Sequence, residues 1–567
     1  MSEENQIYKR AHLEDRSPFE AGLSYSREAF DEENDGLLPV SHQDVKEPST
    51  LKPKANNKSK GLSKKDRPAF SVLVILYMLQ GVPVGLAFGS VPFILKSKLS
   101  YSQVGIFSLA AYPYSLKLLW SPIVDALYSR KFGRRKSWIV PIQTISGTIM
   151  VCLGLKMDIL MKSPELHLTK ITACFFLLVL FCATQDIAVD GWALTCLSPE
   201  SLSYASTAQT VGINTGYFLS FTIFLALSSP DFANKYLRLV SSDEGIFSLG
   251  LYLKFWGWIY LLVTLVLYFI PEDPPHLAKK NNDKLISEKV KVEDVYNQKF
   301  AQWASLKRVY FSMYQVLKLP NVQTFVIILL IAKFPFQVNE AATNLKLLEK
   351  GLSKEDLSIT VLIDFPFELI FGYYAGRWST GTSPLKPWLV GFCGRLIAAV
   401  LAHIAIYFFP ESGEISTGYF ILILLQHLFS SFMSTIQFVS LCAFETKIAD
   451  PAIGGTYMTT LNTLSNYGGT WPRLMIFFLI DKLSYTVCEP PLETQIDPEL
   501  FNYRITSESL KAQCKTLKGT VHTYRDGYYY MNFICVSIGV LMFFWIKAKT
   551  LYLQSLPNGA WRVNKDD

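Results

Sequence analysis

The sequence predicts an all-α membrane protein with twelve transmembrane helices in two pseudo-symmetric six-helix bundles. Three observations predict it. Half of the 567 residues are hydrophobic and only 18% are charged, against roughly 25% in soluble domains. The apolar residues gather in runs of about 20, the length that crosses a hydrocarbon core about 30 Å thick. Those runs divide six and six about one polar segment, 271–318. The same arithmetic argues against a soluble enzyme or a disordered chain, and nine cysteines are too sparse to staple a chain of this length.

In chain order, residues 1–67 are polar, acidic first and then lysine-rich from Lys52 to Arg67. They lack the apolar core and cleavage site of a signal peptide and read as a disordered cytosolic tail. Twelve apolar stretches follow, at 70–95, 103–127, 138–155, 170–197, 204–228, 248–270, 322–347, 356–378, 388–409, 416–446, 455–480 and 527–547. The first six form an N-terminal bundle, 68–270. The last six form a C-terminal bundle, 319–548, with a loop at 481–526 on the non-cytosolic side. Residues 271–318 are a cytosolic central loop and 549–567 a cytosolic tail. Orientation follows from the basic residues. Arg130, Lys131, Arg134, Arg135 and Lys136 follow the second stretch, and 271–318 holds nine Lys/Arg against six Asp/Glu. Lys547, Lys549, Arg562 and Lys565 close the chain. Both termini are therefore expected in the cytosol.

The two halves repeat. A shift of 253 residues lays Leu99-Ser100 on Leu352-Ser353, Pro113 on Pro366, Tyr204 on Tyr457, Thr207 on Thr460 and Gly216 on Gly469. Pro83 meets Pro335 at a shift of 252. Parallel six-helix halves about an axis along the membrane normal are the architecture of the major facilitator superfamily.

The residues that carry chemistry are charges placed where charge is expensive. Asp125, followed by Gly133-Arg134-Arg135-Lys136, is similar to the superfamily's loop signature, with a longer spacing, and predicts a cytosolic latch. In the fourth stretch, Thr184-Gln185-Asp186-Ile-Ala-Val-Asp190 puts two carboxylates on one helix face, directed at the bundle interior. They are candidates for coupling or gating, with Gln185, or for structural partners of Lys117. The cations Lys117, Lys333, Arg395 and Arg473 suit an anionic solute, because lysine supplies point charge and arginine grips phosphate. Lys346 stands near the end of its stretch, and Asp364 and Glu368 are alternative carboxylate partners. Asn214 and Tyr217, within Gly212-Ile-Asn-Thr-Gly216-Tyr, and Asn466 in the matching stretch combine helix packing with candidate solute contacts.

Enzyme motifs are absent. There is no Walker-type sequence, no catalytic or metal-ligating constellation, no expected cofactor and no nucleic-acid partner. His403 and His427 lie in apolar stretches and keep a membrane acyltransferase as the alternative from another class. Cys488 and Cys514 share the non-cytosolic loop, where an oxidising compartment would allow a bridge.

Six runs in order, Leu79-Gln-Gly-Val-Pro83-Val-Gly85, Ser115-Leu-Lys117-Leu-Leu-Trp120-Ser-Pro122, Phe132-Gly-Arg-Arg-Lys136-Ser-Trp138, Thr184 to Trp192, Asn234-Lys-Tyr-Leu-Arg238 and Ile453-Gly-Gly-Thr-Tyr-Met458, resemble the acetyl-coenzyme A transporter family of the endoplasmic reticulum. The resemblance runs from about residue 70 to 548. It implies passage of acetyl-CoA from the cytosol into the lumen, with exchange against CoA an attractive mechanism and the bilayer as surroundings. It leaves oligomeric state, monomer or homodimer, open. A proton-coupled facilitator for another organic anion or a peptide-like solute is the alternative within transporters.

Overall fold

The computed structural model describes residues 65–129, 132–198, 201, 204–242, 245–270, 306–379, 383–410, 415–449, 454–490, 503–505 and 508–563. The expected tail up to residue 64, Arg130 and Lys131, most of the central loop and the side chains of Asp125 and Glu368 lie outside them.

In the first half, α1 spans Arg67–Lys96. Pro83 cannot donate to its helical ladder, and a π segment at Leu86–Ser90 follows within one turn. The second span, α2, is broken into Tyr101–Phe107, Ser108–Ala111, Tyr112–Leu116, Lys117–Leu119 and Ser121–Ala126. It opens on a capping box between Ser100 and Gln103, and its breaks fall beside Pro113 and Pro122. Then come α3 (Lys136–Leu160), α4 (Pro164–Cys196), α5 (Tyr204–Phe218, continued by Leu219–Ile223 and Phe224–Leu227) and α6 (Leu249–Phe269). In the second half, α7 runs from Pro320–Ile331 through Phe334–Phe336 and Gln337–Ala341 to Thr343–Lys350. It ends on Gly351 at φ 115°, the left-handed region glycine favours. The remaining spans are α8 (Lys354–Ser379), α9 (Leu385–Tyr407), α10 (Thr417–Ile448), α11 (Gly454–Leu483) and α12 (Gly527–Ser555).

Nine helices among the described residues are long and apolar enough to cross a membrane. The other three expected spans, α2, α8 and α11, are helical too. The first is interrupted, and the other two carry more charged and polar residues. Within 271–318, expected as loop, residues 306–318 are helical.

The repeat read from the sequence appears in the packing. Helix α1 packs on α5 and α3 on α6, while α7 packs on α11 and α9 on both α10 and α12. A β-carbon on Gly216 would stand 2.1 Å from the Met78 carbonyl oxygen, and one on Gly468 would stand 2.1 Å from that of Leu329. The two equivalent helix pairs thus touch backbone to backbone, as small residues allow.

The apolar cores are distributed unevenly along the membrane normal. At the end remote from Arg134 and Arg135, one core joins both halves, with Leu95, Val104 and Phe107 alongside Val338, Leu345, Phe477 and Tyr528. At the basic end the cores are separate, one around Leu73, Val189 and Trp192 and another around Phe325, Phe444 and Trp561. Over the joined end lies a small cap: β1 (Tyr485–Glu489) pairs antiparallel with β2 (Thr520–Arg525), and a short helix, Glu508–Thr516, packs on β2. Cys488 and Cys514 are disulfide-bonded, with Cα atoms 5.8 Å apart.

Candidate transport site

The break in α2 sets the first-half site. Lys117 starts a single 3₁₀ turn, and its Nζ lies 2.5 Å from Asp186 Oδ2 on α4. The ammonium also stands 5.3 Å from the Tyr114 ring centroid. Asp186 is fully buried and its Oδ1 has no hydrogen-bond partner among the described residues. One turn on, Asp190 accepts from Tyr77 Oη on α1 at 2.7 Å and from Gln209 Nε2 on α5 at 2.9 Å. Trp120 Nε1 donates to Thr184 Oγ1 at 3.1 Å, and Gln185 Nε2 reaches the Leu76 carbonyl at 3.4 Å. The expected segment Thr184–Asp190 therefore ties α1, α2, α4 and α5 together.

The loop signature joins the same network from the basic end. Arg135 is buried, and a β-carbon on Gly191 would fall 2.2 Å from its Cζ. The glycine after Asp190 is what lets the guanidinium lie on α4. Arg134 stands 5.8 Å from the Tyr128 ring centroid. Asp125, the third member of the expected latch, has its side chain outside the described residues.

The second half holds its charges differently. Arg395 on α9 is buried, forms an ion pair with Glu340 on α7, donates to Gln437 on α10 and lies 4.2 Å from the Phe336 ring centroid. Lys333 makes no side-chain hydrogen bond or ion pair among the described residues. Its chain runs over Gly469 of α11, where a β-carbon would stand 3.0 Å from Lys333 Cδ. Arg395 and the buried Glu445 lie within its electrostatic reach. Arg473 on α11 stands within electrostatic reach of Tyr112 and Tyr217 from the first half, and no ion pair holds it among the described residues. Around it the halves touch through polar and aromatic groups. Ser115 and Thr470 hydroxyls are 2.7 Å apart, and the Tyr112 and Tyr467 rings are 6.0 Å apart, edge to face. Tyr217 packs edge to face on Phe221, Asn466 donates to Asn462 at 3.3 Å, and Asn214 is half-buried on α5.

The joined end is closed by charge. Glu349 at the end of α7 receives Lys346 at 3.2 Å, Lys96 of α1 at 3.8 Å and the Tyr101 hydroxyl of α2 at 3.0 Å. Lys346 also binds Asp526, at the start of α12, at 2.6 Å. Ser102 donates to Asp481 across the same seam. Lys511 of the cap lines the polar cavity above these groups.

Sequence reasoning missed Glu340, Gln437, Glu445 and Glu349 as partners. Glu340, Gln437 and Glu445 are polar residues in apolar stretches, the same signal that flagged Asp186, and Gln209 shares it; Glu349 lies just past the seventh stretch, and Tyr77 carried no such signal. The two intramembrane histidines have ordinary neighbours. His427 Nε2 is 3.3 Å from Asp364, and His403 lies 3.4 Å from Asn532 and edge-on to Tyr529.

The architecture matches solved transporters. A bacterial homolog of the human lysosomal transporter Spinster superposes with a TM-score of 0.56 at 14% identity, covering 88% of this chain and all of the other. The anhydromuropeptide permease of Escherichia coli K12 is 23% identical over 69% of this chain and 73% of its own. At these identities the likenesses show the fold, that of the major facilitator type. A family model described as acetyl-coenzyme A transporter 1 matches residues 69–386 and 381–563. An uncharacterized membrane protein of Saccharomyces cerevisiae is 47% identical over 89% of this chain and 99% of its own. The chain belongs to the acetyl-coenzyme A transporter 1 family.

Proposed function

We propose that this protein carries acetyl-CoA from the cytosol into the lumen of the endoplasmic reticulum by alternating access of its two halves, with CoA returning on the same site. The observation that carries this reading is the family match over residues 69–386 and 381–563. The charges and rings near the contact between the halves support an anionic cargo bearing a flat ring. Lys333 and Arg473 offer charge to phosphates, and Tyr112, Tyr217 and Tyr467 offer aromatic rings near Arg473. Arg395 becomes a third grip when Glu340 releases it, and Asp186 and Asp190 act as gating partners. In this reading α2, α8 and α11 cross the bilayer with the other nine helices, the basic end faces the cytosol with both termini, and the disulfide cap faces the lumen.

The test is uptake of radiolabelled acetyl-CoA by the purified protein in liposomes. Faster uptake with CoA inside supports exchange. Equal uptake with and without internal CoA overturns exchange, and no uptake overturns the cargo. The relationship to a permease favours one second reading, a proton-coupled carrier of another organic anion or a peptide-like solute through Asp186 and Asp190. Uptake that follows an imposed pH gradient supports it. Loss of acetyl label without accumulation would mark an acyltransferase.

A further inference from the structure

The helix at 306–318, between the two halves, has a face that none of the functions above uses. Leu306, Met313 and Val316 are buried, and Val316 belongs to the second-half core with Val322, Phe325 and Trp561. The opposite face is exposed. Phe311 keeps 56% and Tyr314 57% of their surface, and Lys307, Arg308 and Lys318 are exposed beside them. At 100° per residue, positions 307, 311, 314 and 318 fall on one stripe. Two aromatics are thus flanked by a cation at each end, with Lys318 Nζ 5.6 Å from the Tyr314 ring centroid. Residues 306–318 contain no Asp or Glu.

The helix also sits at a fixed level. Leu319 turns the backbone to an extended conformation, and Pro320 begins the apolar span α7 immediately after it. The stripe therefore lies where a span leaves the bilayer, at the end that also carries Arg134, Arg135 and Lys136. On its other side, Tyr310 Oη donates to the Leu119 carbonyl at 2.5 Å. Leu119 ends the 3₁₀ turn that begins with Lys117, and the next backbone amides bond elsewhere: Ile123 N donates to Trp120 O. The hydroxyl satisfies a carbonyl that the break in α2 leaves open, so the helix is docked on the first half while its core face belongs to the second.

We propose that the exposed face of 306–318 is an anionic-lipid surface. Lys307, Arg308 and Lys318 contact phospholipid headgroups, and Phe311 and Tyr314 enter the interfacial layer, as amphipathic helices with basic polar residues do. Charge complementarity selects lipid, because the stripe is purely cationic and begins a membrane span. Anionic lipid then holds the connector against both halves beside Lys117. The inference does not depend on which solute is carried.

Hydrogen–deuterium exchange of the full-length protein in nanodiscs tests it. Discs of phosphatidylcholine alone are compared with discs containing phosphatidylserine, and the readout is the peptide covering 306–318. Phosphatidylserine is expected to slow its exchange about tenfold. The triple variant K307Q/R308Q/K318Q keeps the wild-type rate in phosphatidylcholine, showing that the helix still forms, and loses the slowing. Equal rates for the wild type in both discs would overturn the proposal. So would slowing that survives in the triple variant, or protection already complete in phosphatidylcholine, which would point to a protein or neutral contact instead.

Discussion

The two halves repeat each other in backbone and differ in how they hold charge. In the first half the site's charges find partners on neighbouring helices: Lys117 in Asp186, and Asp190 in Tyr77 and Gln209, while Arg135 lies against Gly191. In the second half Arg395 is answered by Glu340, but Lys333 and Arg473 have no ion pair among the described residues. A half-buried cation held in no ion pair is costly, and such a cost persists where a ligand supplies the missing charge. The first half is a self-neutralised frame, and the second half is the side with positive charge to offer.

The largest effect should come from breaking the frame. Lys117→Ala strands Asp186 in a fully buried site, and removing one partner of a buried pair costs about 3–5 kcal/mol. The expected outcome is poor yield and a lowered unfolding temperature, so loss of uptake in this variant alone says little about binding. Replacing both partners, as Lys117→Met with Asp186→Leu, should restore most of the stability. If the double variant unfolds as early as the single one, the pair is not what holds α2 to α4.

Next comes the grip. Lys333→Ala removes a cation that makes no ion pair among the described residues but also leaves the buried Glu445 without its nearby charge, so thermal stability should change little. A lost charge-assisted contact to the cargo is worth about 2 kcal/mol, or roughly 30-fold in apparent affinity. Liposome uptake at varied acetyl-CoA concentration measures it. Unchanged affinity in Lys333→Ala would place the positive grip elsewhere and remove the contrast between the halves.

Much of this contrast was legible in the sequence, and the rest was not for physical reasons. An isolated charge in an apolar run is visible because it is expensive there, so Lys117, Asp186, Asp190, Lys333 and Arg395 could be picked out. The near-constant offset between halves exposed the repeat, and the backbone contacts Met78–Gly216 and Leu329–Gly468 require glycine at nearly matching places, one residue off that offset. Which cation is paired was not legible. It depends on the rotation of α2 about its break and of α9 against α7, and no periodicity reports either. Neutral partners such as Tyr77 and Gln209 resemble any interfacial tyrosine or glutamine until the fold brings them to Asp190.

A smaller effect belongs to the seam that holds the halves together at the capped end. Glu349 gathers Lys96, Tyr101 and Lys346, the first two from the opposite half. Glu349→Gln keeps the shape and removes the charge, while Lys346 retains Asp526. The groups are partly exposed, so the loss is about 1 kcal/mol, a roughly fivefold shift toward the state open at the capped end. Accessibility of an engineered cysteine at Ser102 to a membrane-impermeant thiol reagent should rise accordingly. An unchanged labelling rate would mean that the joined apolar core, rather than these charges, keeps that end shut.

The finest distinction, between frame and grip, falls on two adjacent residues. A β-carbon on Gly468 meets the Leu329 backbone 2.1 Å away, whereas one on Gly469 meets only the Lys333 side chain, at 3.0 Å. Backbone cannot yield without parting α7 from α11, so Gly468→Ala carries an overpacking penalty of about 1–3 kcal/mol and should lower the unfolding temperature. A lysine chain can swing aside, so Gly469→Ala should leave that temperature unchanged and raise the acetyl-CoA KM about threefold by displacing the ammonium. The same pair of measurements on both variants decides the matter. If Gly469→Ala lowers stability as Gly468→Ala does, Lys333 is wedged as part of the second half's frame, and the difference between the halves is one of degree.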